Sequence, residues 1–187
     1  MSSQSPTSPA VLTTGHSTRS EEEFIDLLRA HDVTLLMDVR TVPRSRRNPQ
    51  FNREALAQSL THAGIRYEHE PALGGFRKPR PDSPNAGWRN LSFRGYADYM
   101  QTDAFAHALD EVIETAQSER VALMCAEAVP WRCHRSLIAD ALVVHGVPAF
   151  EIAGRERLEP HRLTSFAKVD GTRITYPPAG VSEALDL

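Results

Sequence analysis

Residues 121–146 read VALMCAEAVPWRCHRSLIADALVVHG. The first five, Val121–Cys125, are apolar without alternation, the pattern of a strand buried on both faces of a parallel sheet. Ala126–Arg132 follows as a loop, since Pro130 lacks the N–H that regular structure needs. Cys133–His145 then reads as a helix with apolar residues at helical spacing, stopped by Gly146. Strand, polar loop and helix make most of a βαβ unit. Val147–Ala153 completes it as the next strand.

The same alternation runs upstream. Val11–Ser17 (VLTTGHS) is a short strand turning at Gly15. Ser20 caps a helix reaching about His31, with Glu23 in the capping-box position. Val33–Val39 (VTLLMDV) is a second buried strand. Arg40–Asn52 (RTVPRSRRNPQFN) is a basic loop whose two prolines forbid a continuous helix. Arg53–Ala63 is helical and ends at Gly64, and Ile65–His69 is a third strand. Glu70–Arg94 has no regular pattern, and its length points to a functional loop or to disorder. Its aromatics, Phe76, Trp88 and Phe93, argue against plain disorder. A short helix starts within Gly95–Met100. Asp103–Glu119 is amphipathic, with Phe105, Leu109, Val112, Ile113 and Ala116 on one face. The reading is a mainly parallel five-stranded sheet with helices on both faces and right-handed crossovers, a Rossmann-like α/β architecture in three layers.

The chain has 187 residues and a formal charge of −3, which suits one core and gives no global attraction to nucleic acid or anionic lipid. Its organisation reads as a disordered tail over 1–10, one domain over 11–155, and an extension over 156–187 with a hairpin at Asp170-Gly171. The start, MSSQSPTSPA, lacks the charged and apolar regions of a secretory signal, and no apolar run is long enough to span a membrane. Two cysteines are too few for a disulfide scaffold, so a reducing cytoplasm is expected.

Ligands of open parallel sheets bind outside the carboxyl ends of the strands. The residues following the strands here are polar: Gly15-His16-Ser17, then Asp38 with Arg40, Arg44, Arg46 and Arg47, then His69, then Cys125 with Glu127, Arg132, Cys133, His134 and Arg135. Several of these segments resemble one family. They are Gly15-His16-Ser17, Asp38-Val39-Arg40 with Pro43 and Ser45-Arg46, and Asn48-Pro49-Gln50-Phe51. Leu73-Gly74-Gly75, Phe93-Arg94-Gly95-Tyr96-Ala97, and Cys125-Ala126-Glu127 with Cys133-His134-Arg135 complete the set. In order and spacing, over roughly residues 12 to 155, the chain is similar to the domain of unknown function 488 family. That resemblance implies no activity to carry over.

Arginines over 40–53 without an interleaved acid, and a second group over 77–94 relieved only by Asp82, with Trp88, Tyr96 and Trp131 near in sequence, suit a phosphate-bearing ligand such as a nucleotide or nucleic acid. In this reading Arg40, Arg44, Arg46, Arg94, Arg132 and Arg135, with His69 and His134, hold the ligand, and His16, Asp38 or Glu127 handle protons. A second reading is a thiol enzyme, loosely resembling rhodanese sulfurtransferases and cysteine phosphatases, with Cys125 or Cys133 as nucleophile beside a helix N-terminus. Against it, six residues separate Cys125 from Arg132, longer than a tight cradle loop. A third is a non-catalytic scaffold that binds a partner through the long loop. Packing alone also accounts for two small cysteines. Metal at Cys125, Cys133 and His134, with His16 and His69, is disfavoured by the absence of Cys-x2-Cys or His-x3-His spacing, and no cofactor is expected.

Overall fold

Strand β1 (Val11–Gly15) lies inside a six-stranded sheet beside β4 (Val121–Cys125) and β5 (Ala149–Gly154). The computed structural model describes residues 9–180 of the chain. Most of the expected N-terminal tail, and the last seven residues of the extension, lie outside the described residues. Strands β2 (Leu35–Asp38) and β3 (Arg66–His69) continue the sheet beyond β4, and β6 (Arg157–Pro160) closes the other side, giving the order β3-β2-β4-β1-β5-β6. The first five strands are parallel and β6 runs antiparallel to β5. A separate hairpin, β7 (Lys168–Asp170) with β8 (Arg173–Thr175), turns through Gly171 at φ +61°.

Alternating strand residues feed two cores, as a pleated strand requires. Leu12, Leu36, Ala122 and Met124 pack against helices α1 (Glu21–Ala30) and α2 (Arg53–His62). Val11, Leu35, Met37, Val121 and Leu123 face α3 (Leu91–Tyr99), α4 (Asp103–Thr115) and α5 (Arg135–Val144). Connections stepping toward β3 thus run over one face and those stepping toward β6 over the other. A single crossover hand requires this arrangement. The Ser20–Glu23 capping box that opens α1 is fully formed.

The structure differs from the sequence reading at three places. The helix predicted from Cys133 begins at Arg135, because a 3-10 turn over Pro130–Arg132 leaves Cys133 extended at φ −127°, ψ 144°. The helix expected to start within Gly95–Met100 already starts at Leu91, capped by the Asn90 side chain. A sixth strand, β6, was not expected: it is largely exposed and ends in Pro160, so it carries neither an apolar run nor clean alternation. No helix among the described residues is long and apolar enough to cross a membrane.

Candidate functional site

Chain connections leave β2 toward one face of the sheet and β4 toward the other. Their carboxyl ends therefore diverge and open a crevice, the topological switch point of a doubly wound sheet. A cleft of about 430 Å³ occupies it. Arg40–Val42 and Arg44 line it from the β2 side, Cys125–Glu127 and Arg132–His134 from the β4 side, and Gly75, Phe76, Asn90, Ser92 and Phe93 from the long loop and the start of α3. The volume suits a small organic ligand or one reacting unit of a larger one.

Cys125 ends β4 on this floor, 2% exposed. Its sulfur lies 2.6 Å from Nη1 of Arg135. That guanidinium is itself fully buried and fully engaged. It donates to the Glu127 and Ala128 carbonyls and forms an ion pair with Glu151 at 2.9 Å. Glu151 also accepts from Thr13, so two strands fix the anchor of the cation. Burial alone would push the Cys125 thiol up. The hydrogen bond from Cys133 and the charge of Arg135 outweigh it, and the thiol falls below its ordinary value. Cys133 moves the opposite way, well above its ordinary value, because ionising it would sacrifice that hydrogen bond in a buried place. One member of the pair is thus disposed to be thiolate and the other to keep its proton.

His134 fills the wall beside Cys133. Its Nε2–H donates to the Val39 carbonyl at 2.9 Å, so Nδ1 is a bare acceptor, 3.5 Å from Cys133 Sγ. Burial pushes its pKa down to about 4, so the ring is neutral near pH 7. Two glycines are required by this packing. A Cβ on Gly75 would stand 2.5 Å from His134 Nδ1, and one on Gly15 would collide with the backbone of Glu127.

Asp38, Arg40 and His16 form a second, buried cluster. Arg40 clasps Asp38 with Nε at 2.9 Å and Nη2 at 2.6 Å, and Nη2 also donates to the Phe51 carbonyl. Tyr67 donates its hydroxyl to the same carboxylate. His16 stacks on Phe51, donates from Nδ1 to the Ser17 carbonyl, and offers Nε2 to Arg40 Nη1 at 3.4 Å. Burial pushes it down to about 4. The hydrogen-bonding groups of Asp38 and His16 are therefore occupied within the protein, while Arg40 still lines the cleft.

The structure brings Arg40, Arg44, Arg132, Cys125, Glu127, Cys133 and His134 to one cleft. Arg135 lies behind it, as the support of Cys125. His69 donates from its ring to the Arg40 carbonyl at 2.8 Å and holds the loop. Arg46 is exposed on that loop outside the cleft lining. Trp131 is exposed and outside the cleft lining, next in sequence to the lining residue Arg132. Trp88 stacks on Phe93 and meets Phe166 and Tyr176, Arg94 holds the Trp88 carbonyl, and Tyr96 is buried with its hydroxyl on the Leu73 carbonyl. These three support the long loop rather than line the cleft. Sequence reasoning missed Phe76, Thr41, Asn90 and Ser92 as lining residues, and Glu151, Thr13 and Tyr67 as partners. Only the fold brings the last three near. Among the described residues no group of three or more His, Cys, Asp or Glu side chains is arranged to hold a metal ion.

Fold and site together define a doubly wound α/β protein with a cysteine-floored cleft at its switch point. A scan against known families matches residues 20–142 to the domain of unknown function DUF488, and the chain belongs to that family. No curated protein and no solved structure matches it.

Proposed function

We propose that this protein is a thiol-dependent enzyme of a reducing, cytoplasmic compartment, acting on a phosphate-bearing or similarly anionic ligand with Cys125 as nucleophile. The observation that carries the reading is the Cys125 sulfur at 2.6 Å from the buried Arg135 guanidinium on the floor of the cleft. A fixed cation against a thiol favours the thiolate, the reactive form. The sulfur forms a bond to the electrophilic atom of the ligand, and the leaving group departs with its electron pair. The leaving group takes the proton it needs from water in the cleft. Water or a second acceptor then takes the transferred group and restores the thiol. Arg44 and Arg132 support the anionic part of the reading. Both line the cleft, both are exposed, and neither has a carboxylate partner among the described residues. Arg135, by contrast, acts as a positioning residue.

The test is the rate of alkylation by iodoacetamide against pH, with Cys125→Ser and Cys133→Ser as controls. The expected result is rapid reaction already near neutral pH, abolished in Cys125→Ser, retained in Cys133→Ser, and slowed by inorganic phosphate. A rate that rises only around pH 8–9, as for an ordinary thiol, sinks the nucleophile. Indifference to phosphate sinks the anionic half.

A further inference from the structure

Five large apolar side chains are exposed among the described residues; two of them line the cleft and two more are next in sequence to lining residues. Val42 (57% exposed) and Phe76 (82%) line the cleft, Leu91 (60%) sits between the lining residues Asn90 and Ser92, and Trp131 (74%) adjoins Arg132. The fifth, Val169, is on the distant-in-sequence β7 hairpin. Scattered exposed apolar residues need no explanation, but a cluster around a cleft marks a binding surface. The cluster is interleaved with Arg44 and Arg132, which have no carboxylate partner among the described residues. Flat aromatic faces alternating with guanidinium groups match stacked bases alternating with phosphates. An acidic peptide would satisfy the arginines but offers no planar faces to Phe76 and Trp131. A single nucleotide would be accommodated by the 430 Å³ cleft and would leave part of this apolar rim uncovered.

We infer that the rim is a docking surface for a single-stranded polynucleotide. Bases stack on Phe76 and Trp131, phosphates sit on Arg44 and Arg132, and one unit is delivered to the cleft floor. This deepens the reading of the cleft as an anion-accepting thiol site by naming the substrate class, and it rests on that reading only for the last step. The formal charge of −3 is no obstacle, because recognition depends on the local surface.

The test uses the full chain with fluorescently labelled oligouridylate and oligothymidylate of about eight nucleotides at about 50 mM salt. Anisotropy reports binding. Trp131 reports stacking through quenching of its emission, since the other tryptophan, Trp88, is packed against Phe93, Phe166 and Tyr176. The expected result is saturable binding that quenches tryptophan, weakens with salt, and falls about tenfold or more in Trp131→Ala and again in Arg44→Ala. Uridine monophosphate should bind far more weakly, and an octaglutamate peptide should not compete. Absence of saturable binding overturns the inference. So does unchanged binding in Trp131→Ala, equal affinity for the mononucleotide, or effective competition by the peptide. Iodoacetamide reactivity of Cys125, measured on the same protein, separates the two proposals. Binding with an unreactive Cys125 discards the thiol chemistry alone, and a reactive Cys125 without binding discards the docking surface alone.

Discussion

At the scale of single residues, the site depends on charges and rings placed where water cannot reach them. Arg135 is fully buried yet ionised, with Cys125 and Glu151 as its counter-groups. A buried ion pair is a costly device unless every donor is satisfied, and here each guanidinium nitrogen has an acceptor. His16 and His134 are the opposite case, neutral rings whose pKa burial pushes down to about 4 from an ordinary 6.5. Their contribution to stability follows from proton counting. Between those two values the unfolded chain takes up protons that the folded protein refuses, so stability is full above about pH 6.5 and is lost as pH falls toward 4. The urea unfolding midpoint should therefore drop steadily across that window. A midpoint that stays level there would show that neither ring is held neutral by the fold. Cys125, Cys133 and Arg135 were readable as one group from their closeness in sequence. That Arg135 is a buried support rather than a ligand contact was not readable, because its partner Glu151 lies on the next strand.

At the scale of elements, local chemistry declared itself in the sequence wherever it acts over a few residues. The Ser20–Glu23 box is such a case. The serine oxygen accepts from the Glu23 N–H at 3.1 Å and the glutamate accepts from the Ser20 N–H at 2.8 Å. Ser20→Ala should cost about 1 kcal/mol, read as a shift of the denaturant midpoint with an unchanged slope. The loop from β1 into α1 carries His16, so a cost well above that would mean the cap also holds the cluster around Asp38. Strands β2 and β4 were legible from apolar runs because both faces are covered. Strand β6 and the early start of α3 were not. An exposed edge strand has no pattern to read, and α3 is packed into place by Trp88 and Arg94 contacts that span the irregular loop.

At the scale of the whole molecule, the carboxyl-end site followed from counting what comes after each strand, which needs no knowledge of strand order. The order itself, with β4 inserted between β1 and β2, was not legible, since parallel strands of similar composition do not advertise their neighbours. The role of the final segment was hidden for the same reason. Tyr176 donates its hydroxyl to the buried Asp140 at 2.8 Å, its N–H to Asn85, and accepts from Gly87, while Phe166 covers Trp88. The segment beyond the family match therefore underpins the loop that forms one wall of the cleft. A chain ended at Pro160 should melt lower than the full chain and show red-shifted Trp88 emission. Unchanged emission would mean that the loop stands without this support. The two sheet edges have a consequence of another kind. Exposed Arg66 and Glu68 pair on β3, and Arg157 and Glu159 pair on β6 beside Pro160. A strand from another chain could add to either edge only by stripping water from these charges, and at β6 it would also meet a residue without an N–H. The sheet is thus guarded on both sides against self-templated growth into aggregates, whatever the concentration at which the protein works.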